Sequence, residues 1–368
     1  MHPVNGANVI QEGFTTLGID HKTVLITGCA GFIGAALAAY LIEHCEDVRI
    51  IGIDDLNDYY DVGLKEYRLA RIEALAQSGP LSRWSFVRGS TADRETVNGL
   101  FSAYRPDIVV HLAAQAGVRY SVVNPDAYIQ SNIIGFYHVL EACRTYPVEH
   151  LVYASSSSVY GENDKMPYSV EEKTDRPVSL YAATKKADEL IAHAYSHLYR
   201  IPATGLRFFT VYGPAGRPDM AYFSFAEKMV RGQELSLFNY GNCKRDFTYI
   251  DDIVSGIALV MKRAPAQRES GENATPHAVY NIGNSKPENL MDFVTVLKEE
   301  LQRAGVLDEG YDLSGHLKLM PMQPGDVEAT CADVSPLERD FGFSPTTPLR
   351  EGLRRFAQWY RDYKGQNA

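Results

Sequence analysis

No stretch of this 368-residue chain approaches the ~20 consecutive apolar residues that a helix needs to cross a bilayer, so a helical membrane span is not expected. Positive charge is also short. Lys and Arg number 36 against 46 Asp and Glu, a net charge of −10 that leaves no basic face to offset phosphate repulsion, so nucleic acid is not expected as a partner. Cysteines are few and scattered: five, at 29, 45, 143, 243 and 331, an odd count with no CxxC pair. That pattern offers no disulfide framework and fits reduced thiols in the cytoplasm. The first 21 residues lack a basic start and an apolar core, and read as a loose N-terminal extension instead of a signal peptide. There is no internal repeat and no low-complexity tract. What remains, 45% hydrophobic and 22% charged residues, is ordinary for a globular protein of one large or two interleaved domains.

Short apolar runs alternate with longer segments of helical period. Thr23–Thr27, Arg49–Ile53, Trp84–Val87, Asp107–His111 and His150–Ala154 read as strands; segments near 32–44, 93–104, 126–145 and 180–199 read as helices. Strands apolar throughout, separated by helices, imply a parallel sheet covered on both faces. After Thr210 the character changes to Gly, Pro and aromatics over 212–248. A helical pattern returns at 250–263, a polar loop covers 265–278, and an amphipathic helix near 349–363 ends the chain. The expectation is an α/β protein: a Rossmann-type doubly wound parallel sheet over 22–212, with a returning segment near 249–283. A smaller mixed α/β C-terminal lobe for the substrate would comprise 213–248 and 284–368.

The strand TVLIT runs directly into Gly28-Cys-Ala-Gly31-Phe32-Ile33-Gly34 and an Ala/Leu-rich helix. Glycines there let the backbone turn tightly and let a pyrophosphate approach the amides of a helix N-terminus. The spacing is GxxGxxG, not the commoner GxGxxG. Asp54 ends the second strand, twenty residues beyond the last glycine, where a carboxylate accepts from both ribose hydroxyls of NAD and repels a 2′-phosphate. NAD is therefore the expected cofactor. Asp54, Asp55 and Asp58 lack the spacing and glycine of a calcium loop. His193 and His197 stand four apart, with no intervening Glu of an HExxH motif and no third ligand, so no metal is expected.

Two further patterns carry chemistry. In the run SLYAATKK (179–186), Tyr181 and Lys185 lie four apart and rise from one helix face. A cation beside a phenol favours its ionised form, which makes a general base for an alcohol or sugar hydroxyl. The strand HLVYA opens into Ser155-Ser156-Ser157-Ser158, at the carboxyl end where doubly wound folds bind ligands. Hydroxyls there can bond a substrate hydroxyl or carboxylate without adding a competing charge.

Glycine turn, Asp54, serine strand and Tyr181-x-x-x-Lys185, in this order, resemble the extended short-chain dehydrogenase/reductase family over about residues 22–362. Within it the sequence is most similar to the UDP-glucuronate 4-epimerases, through HLAAQAGVR (111–119), SSSSVYG (155–161), GPAGRPDMA (213–221) and KRDFTYIDD (244–252). The resemblance implies an isomerase that inverts C4 of UDP-glucuronate to give UDP-galacturonate through a 4-keto intermediate, with tightly bound NAD. It implies Ser156 beside the 4-hydroxyl, Tyr181 as base, Lys185 as its ribose-binding partner, and Asn132 as a structural residue. Ser157, Ser158, Thr210 and Arg217 fall around the sugar's C5 substituent, Arg245 at the diphosphate, the backbone near Phe238 at uracil, and Asp326 at the uridine ribose. Relatives pair the helices near 126–145 and 180–199 into a four-helix bundle, so a homodimer is expected.

Departures from the family pattern are Ser90 in place of an Asp facing adenine, Gln323 in place of an Arg found in galactose-type epimerases, and the first 21 residues, which have no counterpart. Alternatives are 4-epimerisation of UDP-N-acetylated uronic acids or of UDP-glucose and UDP-galactose, decarboxylation, 4,6-dehydration, and a non-catalytic NAD-binding regulator. Related decarboxylases carry Glu where Ser158 stands, and the dehydratases carry Asp and Glu at Ser157 and Ser158. The Tyr181–Lys185 pair argues against the regulator.

Overall fold

The computed structural model describes residues 18–78, 83–265, 274–322 and 328–366. Most of the N-terminal extension, together with Gln323 and Asp326, lies outside these. Twelve strands follow in chain order among the described residues: β1 Thr23–Thr27, β2 Arg49–Asp54, β3 Trp84–Arg88, β4 Ile108–His111, β5 His150–Ser156, β6 Ala203–Phe208, β7 Thr210–Tyr212, β8 Leu235–Leu237, β9 Lys244–Tyr249, β10 His277–Ile282, β11 Pro287–Asn289 and β12 Leu317–Leu319. Seven form one parallel sheet in the order β3-β2-β1-β4-β5-β6-β10.

The two-residue period of the strands sorts their side chains into two cores. Val24, Ile26, Ile50, Val110, Val152 and Leu206 join the cluster under the helices Phe32–His44 and Ile250–Met261. Leu25, Ile51, Val109, Leu151 and Tyr153 join the opposite cluster, with Val97, Phe136 and Ala192. Both faces are covered, as the unbroken apolar strands require. The expected doubly wound sheet is present, and β10 brings the chain back to its edge from beyond residue 265.

Two findings differ from the pattern read in the sequence. The helix Val62–Ser78 was not anticipated; Lys, Glu and Arg interrupt its apolar period. The segment expected as one helix over 126–145 begins at Pro125 and contains a π-helical stretch, Ile129–Ile134, before continuing as Gly135–Thr145. A π turn adds one residue to a turn and re-aims its side chains. Here it carries Asn132, fully buried, which bonds the Gln115 backbone at both ends and donates to Thr184 Oγ1 at 3.0 Å.

Beyond β6 the chain also forms smaller elements of its own. These are a three-stranded sheet, β11-β9-β7, a parallel pair β12-β8, and the helices Leu290–Arg303 and Leu349–Gln366 packed on one another. No helix among the described residues is long and apolar enough to cross a membrane.

Candidate active site

The chain reverses its direction across the sheet between β1 and β4, and a cleft of about 440 Å³ opens there at the carboxyl ends of the strands. The glycine turn forms one wall. Gly28 has φ +69°, and a Cβ on it would lie 2.7 Å from the Ala113 nitrogen beyond β4; one on Gly34 would lie 2.2 Å from the Gly28 carbonyl oxygen. Only hydrogen fits at either place. Gly28, Gly31, Phe32, Ile33 and Gly34 all face the cleft, so the N-terminus of the helix Phe32–His44 opens onto it.

Asp54 closes that wall. Its Oδ2 accepts from Ala30 N at 3.0 Å and its Oδ1 from Leu56 N at 2.9 Å, which aims the carboxyl at the cleft from the end of β2. Burial raises its pKa, against the two amides and the nearby Lys65 charge. Lys65, on the unanticipated helix, lines the same wall and donates to Asn57 O at 2.7 Å and Asn57 Oδ1 at 3.0 Å. Its pKa is lowered by burial, with Asp54 opposing. Ser90 also lines the cleft, its hydroxyl accepting from Ala92 N at 3.2 Å.

The opposite wall comes from β5 and the helix Leu180–Tyr199. Ser179 caps that helix by accepting from Ala182 N at 3.1 Å, which sets Tyr181 in the first turn and Lys185 one turn on. Both line the cleft. Lys185 is 2% exposed; its ammonium donates to Ala154 O at 2.9 Å and to Asp188 Oδ2 at 3.3 Å. The four serines have separate duties. Ser155 donates to Glu189 Oε1, itself paired with Arg207 beneath the site. Ser156 Oγ accepts from Ser158 N at 3.1 Å and so turns the chain out of β5. Ser156, Ser157 and Ser158 face the cleft with Thr210.

Arg217 enters from the loop between β7 and the helix Ala221–Val230. Its guanidinium makes a two-point pair with Asp219, Nε to Oδ1 at 3.0 Å and Nη2 to Oδ2 at 2.6 Å, and Tyr59 Oη donates to Asp219 Oδ2 at 3.0 Å. Burial opposes the charge on both partners, but the pairing outweighs it. The Arg217 pKa is raised by the Asp219 hydrogen bonds and charge, and that of Asp219 is lowered. Burial and the Asp219 charge push the Tyr59 phenol up to about 12, so it remains a donor. Tyr128 meets Tyr181 edge-on, with ring centroids 6.0 Å apart, and donates to Ala116 O and Gly117 O. One buried side chain ties the glycine turn to the Arg217 loop: Arg68 donates to Ala30 O in the turn and to Ala215 O and Gly216 O in the loop.

Thus Gly28, Gly31, Phe32, Ile33, Gly34, Asp54, Ser156, Ser157, Ser158, Thr210, Tyr181, Lys185 and Arg217 share one cleft. Phe238 and Arg245 stand outside its lining. The guanidinium of Arg119, which follows the cleft residue Val118 in the chain, lies over the Phe238 ring, 5.3 Å from its centre. Arg245 donates to Lys244 O and Glu328 O. Asp326 falls outside the described residues. Lys65, Asn57, Tyr59 and Asp219 were not singled out in the sequence. Asp219 stood two residues from Arg217 in the GRPDM run, a spacing that permits the observed pair.

Residues 24–283 match the NAD dependent epimerase/dehydratase family. Among curated relatives, UDP-glucuronate 4-epimerase 4 of Arabidopsis thaliana is 46% identical over 348 residues, covering 93% of this chain and 76% of its own. Protein CapI of Staphylococcus aureus is 45% identical, covering 92% and 98%. The crystal structure of the Bacillus cereus UDP-glucuronic acid 4-epimerase with UDP-glucuronic acid and NAD superposes with a TM-score of 0.78 at 30% identity, covering 93% of this chain and 99% of that one. With the glycine turn, the acid ending β2 and the Tyr-x-x-x-Lys helix all on one cleft, this chain belongs to the NAD dependent epimerase/dehydratase family.

Proposed function

We propose that the protein is an NAD-dependent isomerase that interconverts UDP-glucuronate and UDP-galacturonate by inversion at C4. One observation carries the reading: a base pair of Tyr181 and Lys185, a row of hydroxyls and a guanidinium share one cleft with a dinucleotide turn. The residues fit NAD, since the turn at Gly28 and Gly34 is wound too tightly for a side chain and opens the helix N-terminus onto the cleft, while Asp54 is aimed for ribose. Bound NAD would supply a hydride acceptor that returns what it takes, so the reaction needs no net oxidant.

The protein's own part is proton handling and restraint. Tyr181 takes the O4 proton and Ser156 steadies the same oxygen, while Lys185 supplies a cation one helical turn away and a donor for ribose. A 4-keto uronic acid is a β-keto acid and loses carbon dioxide when its C5–carboxyl bond aligns with the carbonyl π system. Ser157, Ser158, Thr210 and Arg217 hold that carboxylate away from alignment. No carboxylic acid stands at Ser157 or Ser158 to serve decarboxylation or dehydration. Arg217 gains little from a neutral hydroxymethyl group, which favours a uronic acid over glucose.

Residues 22–212 with 249–283 hold the cofactor in this reading; 213–248 and 284–368 hold the nucleotide sugar, with Phe238, Arg245 and Asp326 at its uridine diphosphate end. The scattered thiols fit a cytoplasmic enzyme. Exposed Leu190 and Leu198, 61% and 66% accessible on the Tyr181 helix, support a homodimer through that face. Incubating the purified protein with UDP-glucuronate, without added reductant, tests the function. The galacto epimer is expected. A pentose product or an unchanged sugar refutes it.

A further inference from the structure

Asp188 has no place in the scheme above, yet it is 2% exposed and its Oδ2 lies 3.3 Å from the Lys185 ammonium. Its Oδ1 is buried with no hydrogen-bond partner among the described residues. A buried carboxylate with one oxygen unanswered is poorly stabilised as an anion and accepts a proton readily. The groups around it do little to help. Glu189, on the same helix, adds like charge and is committed to Arg207, Ser155 and Lys186. From β5 comes the Tyr153 phenol, bonded to His277 on β10 and held neutral by burial. From β4, beside Lys185, comes His111, buried on Thr27, whose imidazole burial and the Lys185 charge keep neutral. Lys185 is thus the only cation that touches the Asp188 carboxyl among the described residues.

The ammonium has three N–H donors, of which one goes to Ala154 O and one to Asp188. The third remains for the cleft. An ionised Asp188 cancels part of the charge that Lys185 presents to Tyr181; a protonated one leaves the full charge in place. We propose that Asp188 is a positioning residue that sets the charge Lys185 presents to Tyr181, and thereby the pH at which the phenol becomes competent as a base. This rests on the reading of Tyr181 as base. Burial, opposed by Lys185, raises the Asp188 carboxyl to about 7, so its change of charge falls near neutral pH. Two groups coupled in this way titrate as a pair and broaden the acid limb of the rate profile.

The test compares the pH dependence of kcat/KM for wild-type and Asp188→Asn holoenzymes from about pH 5.5 to 9.5. Asparagine keeps the shape and removes the charge, so Lys185 acts on Tyr181 undiminished. The acid limb is expected to steepen and its midpoint to fall by roughly 0.5–1 pH unit. A lower plateau with an unmoved midpoint means a merely structural residue and overturns the proposal. An infrared pH titration of wild-type protein labelled with ¹³C-aspartate does not depend on the variant folding. A protonated-carboxyl band that disappears near neutral pH supports the proposal, and no carboxyl titrating there overturns it. Tyr181→Phe separates the two readings, because retained turnover refutes the base assignment whatever the infrared result.

Discussion

Replacing Arg217 with Met removes the charge and keeps most of the length, so the lost activity measures what the guanidinium does for a carboxylate. Two unit charges about 4 Å apart attract by about 4 kcal/mol at the effective dielectric of a protein surface. That gross figure is not available in full. Asp219 already holds Arg217 by two hydrogen bonds, and the Arg217 side chain is 22% exposed, so solvent screens part of the rest. Roughly half remains, about 2 kcal/mol, or about a 30-fold loss in kcat/KM on UDP-glucuronate. On UDP-glucose, which has no carboxylate, the loss should stay within about threefold. The assay resolves gluco, galacto and pentose nucleotides after timed incubation with each substrate. The pentose fraction should rise for Arg217→Met, because a loosened carboxylate aligns more often with the ketone. Equal losses on both sugars would refute the assignment of Arg217 to the carboxylate.

Three further outcomes follow from the geometry. Gly28→Ala drives a methyl to within 2.7 Å of the Ala113 backbone nitrogen at a positive φ, so the purified variant should lack bound dinucleotide by absorbance, with the fold retained by circular dichroism. His111 is held neutral in the fold, its pKa lowered to about 3 by burial and the Lys185 charge, against 6.5 for the ordinary group. The unfolded chain then takes up the proton first as pH falls below 6.5, so folding stability should drop by about 2 kcal/mol between pH 7.5 and 5; His111→Gln should flatten that slope in urea titrations. Leu190→Glu with Leu198→Glu places charge on the exposed apolar face, and light scattering should read a monomer where the parent reads a dimer.

The features legible in the sequence were those whose spacing is local. A strand running into GxxGxxG, an acid at the end of the next strand, and Tyr and Lys one helical turn apart need no knowledge of the rest of the chain. The apolar strands gave the sheet because both its faces are covered. What stayed hidden depends on contacts between distant segments. Tyr59 and Asp219 meet across 160 positions. Lys65 and Arg68 sit on a helix whose charged residues blur its apolar period, although both turn inward. The π stretch at Ile129–Ile134 leaves a helical sequence pattern intact while moving Asn132 into the core. Nothing local in the sequence marks Asp188, because its burial beside Lys185 comes from the packing of its helix on β5.

Arg68 gives the cleft a mechanical property. One guanidinium grips carbonyls of both the dinucleotide turn and the segment leading to Arg217, so neither rim can shift without breaking bonds to the other. A preparation stripped of its dinucleotide should therefore exchange amide hydrogens faster over 213–220, at the second rim, as well as at the glycine turn.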